Sequence, residues 1–144
     1  HLGGVAEARL SPDGGRVAYV PTGGGGLFVA ALGGGGTPVA LDGGGRQQVR
    51  WSPDGSRVLA RRPDGTWVLA RADGSAPAAT VAVPFGSAFQ DFSPDGTRML
   101  FLTAGTAPAV LVAHVDGGVA PLALPAGTEL QRYIAELRWR PAAP

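Results

Sequence analysis

Three aspartates, Asp13, Asp54 and Asp95, stand 41 residues apart, each inside the same four-residue word, Ser-Pro-Asp-Gly. Acidic residues at a fixed repeat raise calcium binding first, and Asp42, Asp64, Asp73 and Asp116 add to the supply of oxygens. A calcium loop, however, gathers several ligands from one short segment, as in Asp-x-Asp-x-Asp. No such run occurs in this chain. A lone Asp beside Gly has a smaller task open to it, accepting hydrogen bonds from nearby backbone N–H groups in a turn. Turn capping is therefore the expected use of all seven, and no metal site is expected.

The remaining chemistry-bearing residues are few. His114 is the only internal histidine, which excludes a three-His metal site and leaves a Ser-His-Asp triad without placeable partners. No Gly-x-Ser-x-Gly elbow is present. There is no cysteine, so disulfides, thiolate zinc sites and a thiol nucleophile are excluded. His114 lies in the third strand where the second repeat has Arg71, a position expected to face outward or toward a blade interface, as a solvated or hydrogen-bonded histidine. Trp51, Trp67 and Trp139 could form a ligand platform. Trp51 and Trp139 share one repeat position, which favours packing between repeats. Arg16, Arg57 and Arg98 each follow the turn and could charge one rim, were Asp13, Asp54 and Asp95 not three residues away. No catalytic residue, cofactor-binding residue, metal ligand or cofactor is assigned, and the chain is expected not to be an enzyme.

The elements that carry these residues follow from the repeat. Before each Ser-Pro-Asp-Gly stands an apolar-polar alternation, at 5–10, 48–51 and 89–92, and after it a second, at 16–20, 57–60 and 98–102. Alternation over four to six residues marks a half-buried strand. Pro presets φ for the turn and Gly accepts the positive φ that reverses the chain, so each word joins two strands into a hairpin. A third strand follows at 27–32, 66–71 and 110–115, and a weaker fourth at 38–41, 80–83 and 121–124. Pro38 and Pro121 in the fourth confine it to a sheet edge, because Pro cannot donate to a central ladder. Four antiparallel strands per 41 residues is the pattern of a propeller blade.

Trp51-Ser52-Pro53-Asp54-Gly55, followed by an apolar strand and then a strand ending in Asp-Gly, resembles the WD-like repeat of TolB-type β-propellers. The resemblance covers nearly the whole chain. Leu10 and Phe92 stand where the family most often has Trp and keep a large apolar group for the same packing. The resemblance implies an all-β fold of four-stranded blades, about 5–45, 46–86 and 87–127, in a single partial propeller spanning 1–144, with an extra strand at 135–141. It implies a binding scaffold for protein or peptide partners, often periplasmic or envelope-associated in bacteria, although a cytoplasmic location stays open. It equally admits an accessory propeller of a prolyl-oligopeptidase-like hydrolase, or a sugar- or metal-binding propeller. The motif residues themselves carry over as structural.

Composition agrees with a folded domain. Hydrophobic residues make up 44% and charged residues 16% of 144 positions, too apolar for a disordered chain. The net charge is +1 and all twelve basic residues are scattered arginines, with Arg61-Arg62 the only adjacent pair. Nucleic acid is not an expected partner. No apolar run reaches the roughly 18–20 residues of a membrane span. Glycine runs at 23–26, 33–36 and 43–45 mark surface turns of the first repeat, without the helix start or Lys-Ser/Thr pair of a phosphate loop.

The expected core comprises Val17, Tyr19, Val29, Trp51, Val58, Leu69, Phe92, Met99, Phe101, Val112 and Trp139. Thr128–Leu137 reads either as a short helical turn or as a loop into a strand over Ala135–Arg140. Three blades leave two open sheet faces, one of them bearing Leu10, Tyr19 and Phe28. A homodimer completing six blades would cover both faces, and so would further blades in a longer chain, an account that the start at His1 also suits.

Overall fold

The fold comes from a computed structural model in which residues 4–44, 47–106 and 109–122 are described. Every described element is a strand. In chain order these are β1 (Val5–Leu10), β2 (Arg16–Pro21), β3 (Leu27–Ala31), β4 (Val39–Asp42), β5 (Gln47–Trp51), β6 (Arg57–Arg61), β7 (Trp67–Arg71), β8 (Ala79–Val81), β9 (Ala88–Phe92), β10 (Arg98–Leu102), β11 (Val110–His114) and β12 (Val119–Pro121). They form three four-stranded antiparallel sheets in which consecutive strands are neighbours: β1-β2-β3-β4 (sheet 1), β5-β6-β7-β8 (sheet 2) and β9-β10-β11-β12 (sheet 3). The all-β architecture of four-stranded blades expected from the repeat is the one observed.

The strand positions follow turn chemistry closely. In each Ser-Pro-Asp-Gly turn the glycine amide bonds the serine carbonyl at 2.8–2.9 Å, and the glycine takes φ of +69° to +70°. That is a type I turn closed by a left-handed residue, the geometry Pro and Gly favour at those places. The fourth strand of sheet 3 begins at Val119, two residues before the expected Pro121. The Asp116-Gly117 turn is tight, with His114 N donating to Gly118 O, so pairing with β11 resumes at once. The expected turn or strand beyond Thr128, Trp139 included, lies outside the described residues.

The described residues divide into two compact units at Val81/Ala82. In the first, sheets 1 and 2 share one core. Ala18, Val20, Leu27, Val29 and Leu41 of sheet 1 meet Val49, Val58, Ala60, Val68 and Ala70 of sheet 2, with Val39, Trp51 and Ala78 packed around them. Small residues dominate because two pleated sheets approaching face to face leave limited depth for side chains. In the second unit, Phe89 stands edge-on to Phe92 and Phe101, at centroid distances of 5.2 and 5.6 Å. Met99, Phe101 and Ala113 there are fully enclosed.

Part of the expected core needs correcting. Tyr19, Val29, Val58, Leu69, Phe92, Met99 and Phe101 are buried, but Val17, Trp51 and Val112 are only half-buried. Leu10 is 62% exposed and does not take over the packing role of a tryptophan. Leu27, Val49, Leu59, Val68 and Val110 are buried without having been expected. Alternation alone does not say which of two faces meets a neighbour, and in a stack of sheets both can.

Candidate functional site

The repeated serine is the hub of each turn. Ser11, Ser52 and Ser93 are buried, although the Pro and Asp that follow each of them are exposed. Each Oγ donates to Oδ1 of the Asp two residues on, at 2.5–2.6 Å. Each also accepts from the backbone N of Arg16, Arg57 or Arg98, at 2.9–3.0 Å. The same Asp oxygen accepts from the backbone N two residues further on, Gly15, Ser56 or Thr97. The word is thus a closed hydrogen-bonding circuit that locks the hairpin. Donation from the serine hydroxyl, first among several causes, holds the carboxyls of Asp13 and Asp54 below their ordinary range and brings Asp95 down to about 2. Asp64 and Asp73 cap their own Gly-containing turns in the same way, through Thr66 and Ser75. No group of three acidic, histidine or cysteine side chains that could hold a metal occurs among the described residues.

Polar contacts clasp sheet 1 to sheet 2. Arg16 Nη2 donates to Gly55 O in the next Ser-Pro-Asp-Gly turn at 2.7 Å. Its guanidinium lies 5.2 Å from the Trp51 ring centroid, within cation–π range. Trp51 Nε1 donates to Arg9 O at 2.8 Å, using a carbonyl on edge strand β1. A bulge between Gln47 and Arg50, with Gln48 in a left-handed conformation at φ 58°, leaves Val49 N out of the ladder, and it donates to Glu7 Oε1 at 3.1 Å. Arg16 therefore does not charge a rim, and its hydrogen-bond and cation–π partners are a neighbouring turn and ring rather than the Asp13 three residues away that the sequence offered.

Glu7 also gathers two arginines. Arg9 Nη2 lies 3.2 Å and Arg50 Nη1 3.9 Å from Oε1, and both side chains stay half-exposed while Glu7 is largely covered. Two guanidinia around one carboxylate leave a local excess of positive charge at the exposed first-strand edge of the pair. The sequence offered a signal for this cluster, since Arg9 and Arg50 both stand two residues before the motif serine. At the other end of the two sheets, Arg62 pairs with Asp42 at 3.4 Å. His114 is exposed at the end of β11, Trp67 is buried, and Trp139 lies outside the described residues.

Among the described residues, no helix is long and apolar enough to cross a membrane. No protein-family model matches the chain, and no curated protein matches its sequence. Solved structures do match its fold. One is the β-propeller domain of Cps50 (Swd1) from Myceliophteria thermophila, with a TM-score of 0.58 and 13% identity, covering 94% of this chain and 44% of that one. A second is an acylaminoacyl peptidase from Pyrococcus horikoshii, with a TM-score of 0.61 and 18% identity over 82% of this chain and 24% of that one. A third is a candidate 6-phosphogluconolactonase from Bacteroides fragilis, with a TM-score of 0.53 and 17% identity over 84% of this chain and 38% of that one. At these identities the likeness is one of fold, β-propeller, and the chain spans less than half the length of each structure.

Proposed function

We propose that the chain is a non-enzymatic propeller module of the TolB-like kind that binds a protein or peptide partner. The observation that carries this reading is the Glu7, Arg9 and Arg50 cluster. Its two half-exposed arginine side chains share one carboxylate at a sheet edge and each gives one Nη1 bond to a neighbouring carbonyl, Ala8 O or Val49 O, which leaves further planar N–H donors to a partner. Such a patch suits a carboxylate, an acidic side chain or chain terminus of the partner. The Ser-Pro-Asp-Gly aspartates, by contrast, are committed to their turns. The periplasm or cell envelope is the compartment that the TolB-like reading favours.

Titration with short acidic peptides tests it, because Trp51 bonds the Arg9 carbonyl and its fluorescence reports on the patch. Saturable quenching that disappears in Arg9→Ala/Arg50→Ala, with the β-sheet circular dichroism retained, supports the reading. A response unchanged in the double variant, or none to any acidic peptide, overturns it.

A second reading is favoured by the acylaminoacyl peptidase likeness, of which this chain matches 24%. In it the module is an accessory propeller of a hydrolase. Coding sequence after Pro144 that specifies an α/β-hydrolase domain with a Gly-x-Ser-x-Gly elbow would support it. Its absence from the full gene would sink it.

A further inference from the structure

The face of sheet 1 turned away from sheet 2 is apolar. Strand registry places Ala8, Leu10, Val17, Tyr19, Phe28 and Ala30 on it, through the pairs Ala8↔Tyr19, Leu10↔Val17, Tyr19↔Phe28 and Val17↔Ala30. None of the six is charged. The Tyr19 and Phe28 rings stack at 5.6 Å, Tyr19 buried and Phe28 half-buried within one copy, so the open part of this face is Leu10 with Ala8 beside it. The repeat shows what such a face is for. In sheet 2 the same positions are Val49, Trp51, Val58, Ala60, Val68 and Ala70, and they belong to or pack against the one core that includes Ala18, Val20, Leu27 and Val29 of sheet 1. A sheet apolar on both faces is one sandwiched between neighbours.

The packing inside the chain joins unlike faces, so the matching occupant is the counterpart of the Ala18, Val20, Leu27 and Val29 face. Sheet 3 carries that counterpart as Leu100, Leu102, Val110 and Val112, aligned by Leu100↔Val112 and Leu102↔Val110. All four are aliphatic. Leu100 and Val110 are buried within one copy, whereas Leu102, Val112 and the adjoining Ala120 keep exposed surface. We propose that the outer face of sheet 1 receives this face of sheet 3 from a second copy of the chain, so that copies associate head to tail. The contact extends the packing of sheets 1 and 2 from one chain to the next, and the occupant is this chain itself.

Sedimentation velocity of the whole chain at tens of micromolar tests the proposal. A species of two 14.5 kDa chains is expected, or longer head-to-tail oligomers where the rotation does not close. Leu10→Glu and Ala120→Glu each place a charge in the contact at a side chain exposed in one copy, so each variant should fold. Each should raise the dimer Kd by about a hundredfold or more, since an unpaired charge would be desolvated. Mixing the two variants should restore a dimer through the one contact that neither substitution touches, a result that only head-to-tail pairing gives. A monomeric wild type overturns the proposal. So does a dimer lost in Leu10→Glu but kept in Ala120→Glu, which would mean that like faces pair. So does a monomer that closes only when blades of a different chain are supplied.

Discussion

At the scale of single residues, the repeated serine matters as much as the Asp and Gly that advertise the turn. Its hydroxyl serves an Asp carboxylate and an Arg backbone N–H at once, and both would lose a partner if it were removed. Ser52→Ala should therefore cost about 1–3 kcal/mol, read from chemical denaturation, whereas Ser75→Ala in an exposed turn should cost under about 0.5 kcal/mol. Equal losses would show that burial of the motif serine is unimportant. The aspartates add a pH dependence. Asp95 lies near 2 in the fold against 3.8 ordinarily, chiefly through the Ser93 hydroxyl. A carboxyl lowered by folding stabilises above its unfolded value, and that stability fades as pH falls from about 4 through about 2. Asp13 and Asp54 are shifted in the same direction. Thermal midpoints should drop across that window in the wild type, and Asp95→Asn should flatten part of the slope. An identical slope in the variant would assign acid lability elsewhere.

At the scale of elements, each hairpin is both a turn and a contact for its neighbour. Gly14 and Gly55 have nearly the same φ, yet a Cβ at Gly14 meets open space while one at Gly55 comes within 3.2 Å of Arg16 Nη2. Gly14→Ala should cost only the left-handed penalty of about 1–2 kcal/mol. Gly55→Ala should cost that and disturb the Arg16 clasp besides, so its loss should be the larger by denaturant midpoint. Trp51 carries the same logic. It is half-buried but bonds Arg9 O and lies under Arg16, so Trp51→Ala should cost about 2–4 kcal/mol, somewhat below the roughly 3–5 of a fully enclosed aromatic. A loss under about 1 kcal/mol would show that the clasp does not hold the sheets together.

At the scale of the molecule, sheets 1 and 2 are not separable. Their apolar faces make a single core, and the polar clasp lies at its margin. Leu27→Ala, a change in sheet 1, should cost about 2–5 kcal/mol. It should also speed hydrogen exchange in β5, β6 and β7 of sheet 2 as much as in β2 and β3. Protection lost from sheet 1 alone would mean that the two sheets unfold independently.

The sequence by itself determined the strands and their hairpins. Period-2 patterning, Pro before a turn, Asp that caps and Gly that accepts positive φ all act within a few residues, so their effects can be read in order along the chain. It also determined that one blade is repeated, because the same local solution recurs every 41 residues. Tertiary structure alone decided what lies between the blades. Arg16 reads as a charge offset by Asp13 until sheet packing brings Gly55 O and the Trp51 ring to it, 39 and 35 positions along the chain. Glu7, Arg9 and Arg50 read as scattered charges until the β5 bulge frees Val49 N and draws the edge strands together. Leu10 holds the repeat position of Trp51, yet it faces away from sheet 2 and is exposed, whereas Trp51 packs at the core that sheets 1 and 2 share. An alternating strand fixes which residues share a face. Which face meets a neighbour is settled by the sheet packed against it.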